Sequence, residues 1–245
     1  MKIFDFETVD SLPLLYHPGM DLLVISDLHL GLEGSMTSEG GYVPQFQLEE
    51  LIEDIEDARQ ETGASRILVN GDLKHEFATT RYSEQKEIEE FMEFLDREFD
   101  EVIVVKGNHD TFIENIVEKH GTLSDFHMEE GILFVHGHRD LDDMDIDGEY
   151  KTVVIGHEHP ALVLEDEIGV KEKVDAFLYG ETREGKKIVV MPAFSKISGG
   201  SKVNQVPQSE LLSPILRNRV DVGGLEAVAV SREAGLFEFP EIGRF

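Results

Sequence analysis

The chain has 245 residues, with 22 Lys+Arg against 51 Asp+Glu and a formal net charge of −29. Phosphate contacts supply most sequence-independent nucleic-acid affinity, so a chain this acidic lacks the basic face that tight, unaided binding to duplex DNA requires. It has no cysteine, which excludes a disulfide framework, thiolate zinc sites and a cysteine nucleophile.

Met1-Lys2-Ile3-Phe4-Asp5 lacks the basic-then-apolar pattern of a secretory signal, and no apolar run approaches the ~20 residues needed to cross a bilayer. A cytoplasmic protein with no membrane association is expected. The acidity fits a saline cytoplasm, where like-charge repulsion is screened, as well as it fits simple solubility. Residues 1–245 are expected to form one domain, because an apolar fraction of 40% with 15 Phe is ordinary for a globular chain.

Leu22-Leu23-Val24-Ile25 reads as a buried strand. Pro44 to Glu61 reads as a helix with Phe46, Leu48, Leu51, Ile52 and Ile55 on one face, closed by Gly63. Ile67–Val69 is the second strand, Ser83 to Glu98 the second helix with Ile88, Phe91, Met92 and Leu95 inward, and Val102–Val105 the third strand. This alternation is the signature of a mainly parallel sheet with crossover helices. After about residue 120 short strands succeed one another at close intervals, near 122–127, 132–135, 152–155, 161–164, 174–179, 187–191, 226–230 and 235–239. A βαβαβ half (about 1–120) thus precedes a β-rich half (about 121–245). The stretch 199–224 has the weakest periodicity and reads as a long surface loop with a short helix over Glu210–Arg217.

The residues at the strand ends carry the chemistry. After the first strand comes Asp27-Leu28-His29, after the second Gly71-Asp72, and after the third Gly107-Asn108-His109-Asp110. Later strands end in His136-Gly137-His138 and Gly156-His157-Glu158-His159. In open α/β sheets ligands bind at the carboxyl ends of the strands, so these five loops are predicted to converge. Aspartate and asparagine oxygens with imidazole nitrogens suit Mn²⁺, Fe or Zn²⁺. Seven candidate ligands suffice for two ions, and an Asp offering one oxygen to each can bridge them.

These five motifs, in this order, resemble the calcineurin-like metallophosphoesterase superfamily over about residues 22–160. The resemblance implies an α/β (α+β) architecture of four layers, two packed mixed β-sheets flanked by helices. It also implies two divalent metal ions, Mn²⁺ foremost with Fe, Zn²⁺ or Mg²⁺ as alternatives. Asp27, His29 and His159 would hold the first ion, Asn108, His136 and His157 the second, with Asp72 between them. His109 would contact the substrate phosphate and protonate the leaving oxygen, with Asp110 positioning its loop. His75 and His138 would touch substrate or orient a ligand. A hydroxide bridging the metals would attack phosphorus. Gly71-Asp72-Leu73-Lys74-His75 is further similar to the repair nucleases of this superfamily. Asp27–Gly31, Val135–His138, Gly156–Pro160 and Pro192–Ser195 are similar to its small DNA ligase- or helicase-associated phosphoesterases.

The function expected is therefore a phosphodiesterase or nuclease acting on nucleotides or single-stranded nucleic acid, in DNA repair. The acidic surface would then require a helicase or ligase partner to deliver nucleic acid. A phosphomonoesterase or protein phosphatase is the nearest alternative, though arginines that clamp a dianion are missing beside the central motifs. A non-catalytic binding module on the same fold is the other. Glu33 reads as a solvated loop acid, and His17, His120 and His127 have no partner pattern. Asp143–Gly148 imitates an EF-hand start, but Val154 stands where Glu should close the loop. Gly180–Lys187 imitates a P-loop but is predicted to be a hairpin turn.

Overall fold

Strands buried on both faces must be apolar at every position, and central strands of both sheets, Leu22–Ile25 and, after its first residue, Thr152–Ile155, show this pattern. The computed structural model describes residues 1–38, 40–41, 44–77, 82–165 and 168–244. The first sheet consists, in spatial order, of β1 (Lys2–Ile3), β2 (Phe6–Thr8), β3 (Leu15–His17), β4 (Leu22–Ile25), β5 (Arg66–Asn70), β6 (Glu101–Val105) and β7 (Thr122–Ser124). Pairing is antiparallel from β1 to β4 and parallel from β4 to β7. Between these strands the chain forms α1 (Leu32–Ser38), α2 (Gln47–Thr62), α3 (Tyr82–Glu98) and α4 (Glu114–Val117).

The second sheet contains β8 (His127–Glu129), β9 (Ile132–Phe134), β10 (Thr152–Ile155), β11 (Pro160–Glu165), β12 (Lys171–Glu181), β13 (Lys187–Val190), β14 (Ser201–Lys202), β15 (Glu226–Ser231) and β16 (Gly235–Phe239). Its order is β14-β11-β12-β13-β10-β9-β8, with β15 on β12 and β16 on β15. Strands β9, β10 and β13 are parallel neighbours, while β11, β12, β15 and β16 pair antiparallel. A final helix, α5 (Pro214–Arg219), precedes β15.

Side-chain alternation sorts the apolar residues into three layers of packing. Leu22, Val24, Leu68 and Ile103 meet Phe134, Val154, Phe177 and Val189 between the sheets. Leu23, Ile25, Ile67 and Val69 pack on Leu51 and Ile55 of α2 and Phe91, Met92 and Leu95 of α3. On the far side, Val153, Ile155 and Ile188 pack on Ile215, Leu216 and Val220. The result is the four-layer α/β arrangement of two mixed sheets flanked by helices.

Four expectations need correction. Helix α2 begins at Gln47, not Pro44, because its first amides are capped from a distance: Glu33 Oε1 accepts from the N–H of Phe46 (2.9 Å) and Gln47 (3.0 Å). Glu33 is accordingly buried in α1 and is no solvated loop acid. The single strand expected near 122–127 is instead β7, closing the first sheet at Ser124, and β8, which starts the second at His127. The stretch 199–224 is no surface loop: Leu211, Ile215, Leu216, Val220 and Val222 supply the outer core of the second sheet, and its helix covers Pro214–Arg219. Gly180–Lys187 forms the antiparallel β12–β13 hairpin as expected. The other histidines have ordinary partners, His17 accepting from the Met20 N–H and His120 lying 3.0 Å from Asp96.

Candidate metal centre

The parallel registers set the carboxyl ends of β4, β5 and β6 side by side, and likewise those of β9 and β10. Main-chain bonds extend this alignment past the strands: Asp27 N–H donates to Gly71 O (3.0 Å), His29 N–H to Asp72 O (3.0 Å) and Gly156 N–H to His136 O (2.9 Å). The five loops therefore meet, as the strand ends predicted. Asp27, His29, Asp72, His157 and His159 all have positive φ, between 46° and 65°. This left-handed region is sparsely populated by side-chain-bearing residues and clusters at functional sites.

Ligand atoms gather in two adjacent groups. Asp27, His29 and His159 form one, and Asp72, His136 and His157 the other, each with its ligand atoms within 4.8 Å of one another. His159 Nε2 lies 3.0 Å from Asp27 Oδ1, and His136 Nε2 lies 3.2 Å from both Asp72 Oδ2 and Asn108 Oδ1. Asp72 Oδ2 is also 3.9 Å from His29 Nε2 of the first group. Asp72 thus faces both groups. A donor set of carboxylate oxygens, an amide oxygen and imidazoles fits hard to borderline divalent cations.

Charge and burial suit that purpose. Burial alone would raise the carboxyls of Asp27 and Asp72, but surrounding imidazoles hold both below the ordinary carboxylate range, His159 and His136 for Asp27 and chiefly His136 for Asp72. Burial pushes His29 and His157 down to about 4, leaving neutral imidazoles able to donate a lone pair. His136 goes the other way: burial would lower it, yet Asp72 and Asp27 raise it to about 9.

The remaining predicted residues take distinct places. His109 Nδ1 bonds the His75 carbonyl, which fixes Nδ1 as the donor and turns Nε2 toward Asp72 Oδ2, 3.9 Å away. His109 N–H donates to Asp72 Oδ1 (2.9 Å). Asp110 is fully buried, accepting from Gly107 N–H (2.8 Å) and Lys74 N–H (3.2 Å), which ties the His109 loop to the loop after β5. The His75 ring stacks with His109 (centroids 5.9 Å, 21°) and forms a third grouping with His29 and His109. His138 sits against His136 and His157, pushed down to about 4 by burial, its Nδ1 buried without a hydrogen-bond partner.

Sequence reasoning missed the residues that hold these loops. Gln47 Oε1 accepts from Ser195 Oγ (2.7 Å) and Lys196 N–H (3.1 Å), while its Nε2 donates to His29 O (3.3 Å). Glu158 is buried and accepts from Ser213 N–H (2.8 Å), and Ser213 Oγ donates to Gly137 O (2.8 Å), pinning α5 to both histidine loops. Ser26 Oγ donates to Asp27 Oδ2 (2.6 Å). Ser195 lies in the Pro192–Ser195 stretch already singled out, and Glu158, a charged residue inside a ligand motif, could have been found the same way.

The calcineurin-like phosphoesterase family model matches residues 20–181. The chain belongs to this family. It is a metal-dependent phosphoesterase, a hydrolase. Among solved structures it is similar to the nuclease MPE of Pseudomonas putida, with 14% identity, a TM-score of 0.61, and coverage of 94% of this chain and 93% of that one. Yfce, a phosphoesterase from E. coli, has 17% identity over 73% of this chain and 83% of its own, with a TM-score of 0.41. Vps29 of Entamoeba histolytica has 17% identity over 89% and 98%, with a TM-score of 0.37. Among curated proteins none matches. Among the described residues no helix is long and apolar enough to cross a membrane.

Proposed function

We propose that the chain is a two-metal phosphodiesterase acting on nucleotides or single-stranded nucleic acid. The observation that carries this reading is Asp72 Oδ2, within 4 Å of an imidazole from each of two complete ligand groups. Asp27, His29 and His159 would hold one divalent cation, Asn108, His136 and His157 the other, and Asp72 both. Bound there, such cations make water nucleophilic at neutral pH and neutralise charge on the phosphoryl oxygens.

The protein's own contribution is position and one proton. His109 Nδ1 is committed to the His75 carbonyl, so a proton on Nε2 is the one offered to the departing oxygen, as general acid catalysis requires. The His29 loop is fixed through Gln47 and the His109 loop through Asp110.

A diester is favoured over a monoester by the cations near the cluster. Lys74 is fully buried with Nζ donating to the Glu76 carbonyl, and Arg139 pairs with Asp125 at 3.1 Å. Neither is presented to clamp a second phosphate charge. The net charge of −29 supports delivery of nucleic acid by a more basic helicase or ligase partner, and hence a repair role, in a cytoplasmic setting.

The test is hydrolysis of a chromogenic phosphodiester beside the matching monoester, on metal-stripped protein refilled with Mn²⁺, Mg²⁺, Zn²⁺ or Ca²⁺, with Asp72→Asn as control. Diester turnover lost in the control is expected. Monoester preference would make the enzyme a phosphatase, and silence with stoichiometric metal bound would leave a binding module.

A further inference from the structure

We propose that Phe77 and Phe112 form a stacking platform for the nucleobase on the leaving-group side of the scissile phosphodiester. This rests on the diesterase reading above and names how its substrate is held.

One ring stands beside the proton donor, the other follows on the donor's loop, and both are in water. Phe77 meets the His109 ring edge-on (centroids 5.0 Å, 73°) while remaining 53% exposed. Phe112 lies three residues beyond His109 on the same loop, 71% exposed, with φ at 64°. A bulky side chain in the left-handed region is an outlier, and exposing a phenyl ring there adds an unfavourable hydration term. Asn or Gly would relieve both. The two positions are tied together, since Thr111 Oγ1 donates to the Phe77 carbonyl and Thr111 N–H to the His109 carbonyl (2.8 Å). His109 Nε2 serves the leaving oxygen, so the Phe77 ring packed on His109, with Phe112 exposed on the same loop, lies on the side of the departing nucleoside.

Charge decides what these rings are for. Sequence-independent binding of single strands combines a basic groove with aromatic stacking. This chain, at −29, is poor in the first component, and among the described residues Lys106 pairs with Glu114, Arg139 with Asp125, and Lys74 is buried. Stacking needs no cation and tolerates every base, so it is the grip left to an acidic diesterase.

The experiment is a cycle of substrates and variants on the Mn²⁺-loaded protein. Thymidylyl-thymidine is compared with two analogues, one abasic on the leaving side and one abasic on the other. Loss of the leaving-side base should lower kcat/KM about 5- to 150-fold, the range for stacking of one base. Phe77→Ala, Phe112→Ala and Phe112→Leu should shrink that ratio, whereas Phe112→Tyr should keep it. In parallel, a single-stranded oligonucleotide carrying 2-aminopurine should be quenched on binding wild type and less so by Phe112→Ala. A base-to-abasic ratio unchanged in the variants, or a larger effect from the base on the other side, overturns the platform. Quenching without any hydrolysis would leave the platform standing and remove the diesterase. Hydrolysis without a Phe-dependent ratio would do the reverse.

Discussion

Replacing Gly71 by alanine tests whether the centre depends on close backbone approach. A Cβ at Gly71 would stand 2.3 Å from Nδ1 and 2.5 Å from Cγ of His136, with φ at +91°. The left-handed conformation alone costs an alanine about 1–2 kcal/mol, and overpacking adds about 1–3 kcal/mol. His136 can escape only by leaving the Asn70 carbonyl that Nδ1 bonds at 3.0 Å, and with it Asp72. Gly63 is the control: φ is +73° at the end of α2, yet a Cβ there meets nothing within 4 Å, so Gly63→Ala should cost only the backbone term, about 1–2 kcal/mol. Gly107 isolates the other half, because its Cβ would meet Asp72 Oδ1 at 2.2 Å and Asp72 N at 2.3 Å without a positive φ. Urea unfolding of the three metal-free variants, with Mn²⁺ titration by calorimetry, separates the terms. Gly71→Ala and Gly107→Ala should lose metal affinity and Gly63→Ala should not. Equal destabilisation and unchanged affinity across all three would refute the reasoning.

The same contacts set other outcomes. His109→Ala should retain both metals yet lose ~10²- to 10⁴-fold in kcat on diesters with alkyl leaving groups, and far less with p-nitrophenolate, which needs no acid; steady-state kinetics on both substrates checks this. Metal uptake near pH 7.5 should release a proton, because His136 is raised to about 9 by Asp72 and Asp27 and a ligand must be neutral. Calorimetry in buffers of different ionisation enthalpy reads that proton, and a buffer-independent enthalpy would exclude it. By linkage, the stability His136 contributes to the metal-free fold is full below its ordinary value and is lost as pH rises through about 9. Asp54 holds Arg232 Nη1 at 2.7 Å and also takes Lys196 Nζ, whose side chain is only 8% exposed. Asp54→Ala should therefore cost about 3 kcal/mol, since it leaves a buried ammonium only the more distant Glu50 carboxylate at 4.0 Å, while Asp54→Leu with Lys196→Met should recover most of it; denaturant midpoints decide.

The metal centre was legible because two strong regularities coincide in it. Strands such as Leu22–Ile25 and Thr152–Ile155 are buried throughout, so their ends are marked in sequence by the first polar residue, and parallel pairing brings such ends together. Strands β1 to β3 have two or three residues each, too few for any period to show. Residues 199–224 misled for a different reason. Their apolar residues do not recur at a helical or strand spacing, yet Leu211, Ile215 and Val220 are as buried as the strands they cover. Glu33 and Gln47 illustrate a third limit: each acts on backbone 13 to 19 residues away, and a single polar residue does not announce a partner at that distance.

Whether the cations build the centre or merely enter it can be argued from the backbone. Five of the proposed ligands have left-handed φ, a conformation that costs side-chain-bearing residues about 1–2 kcal/mol each. Protein contacts already hold it. His29 N–H and Leu30 N–H continue the β4–β5 pairing to Asp72 and Leu73, and His157 N–H donates to the Asp27 carboxylate at 3.1 Å. The cores on both sides of the two sheets are complete without the centre. Chelation should therefore leave the far-ultraviolet circular dichroism unchanged, unlike small domains whose metal is their core. It should lower stability only by mass action, about 4 kcal/mol at a free metal concentration a thousand times Kd. Cooperative loss of secondary structure on chelation at 25 °C would mean that the strain in these loops is borne by the metals and not by the sheet bonds that run on past the strands.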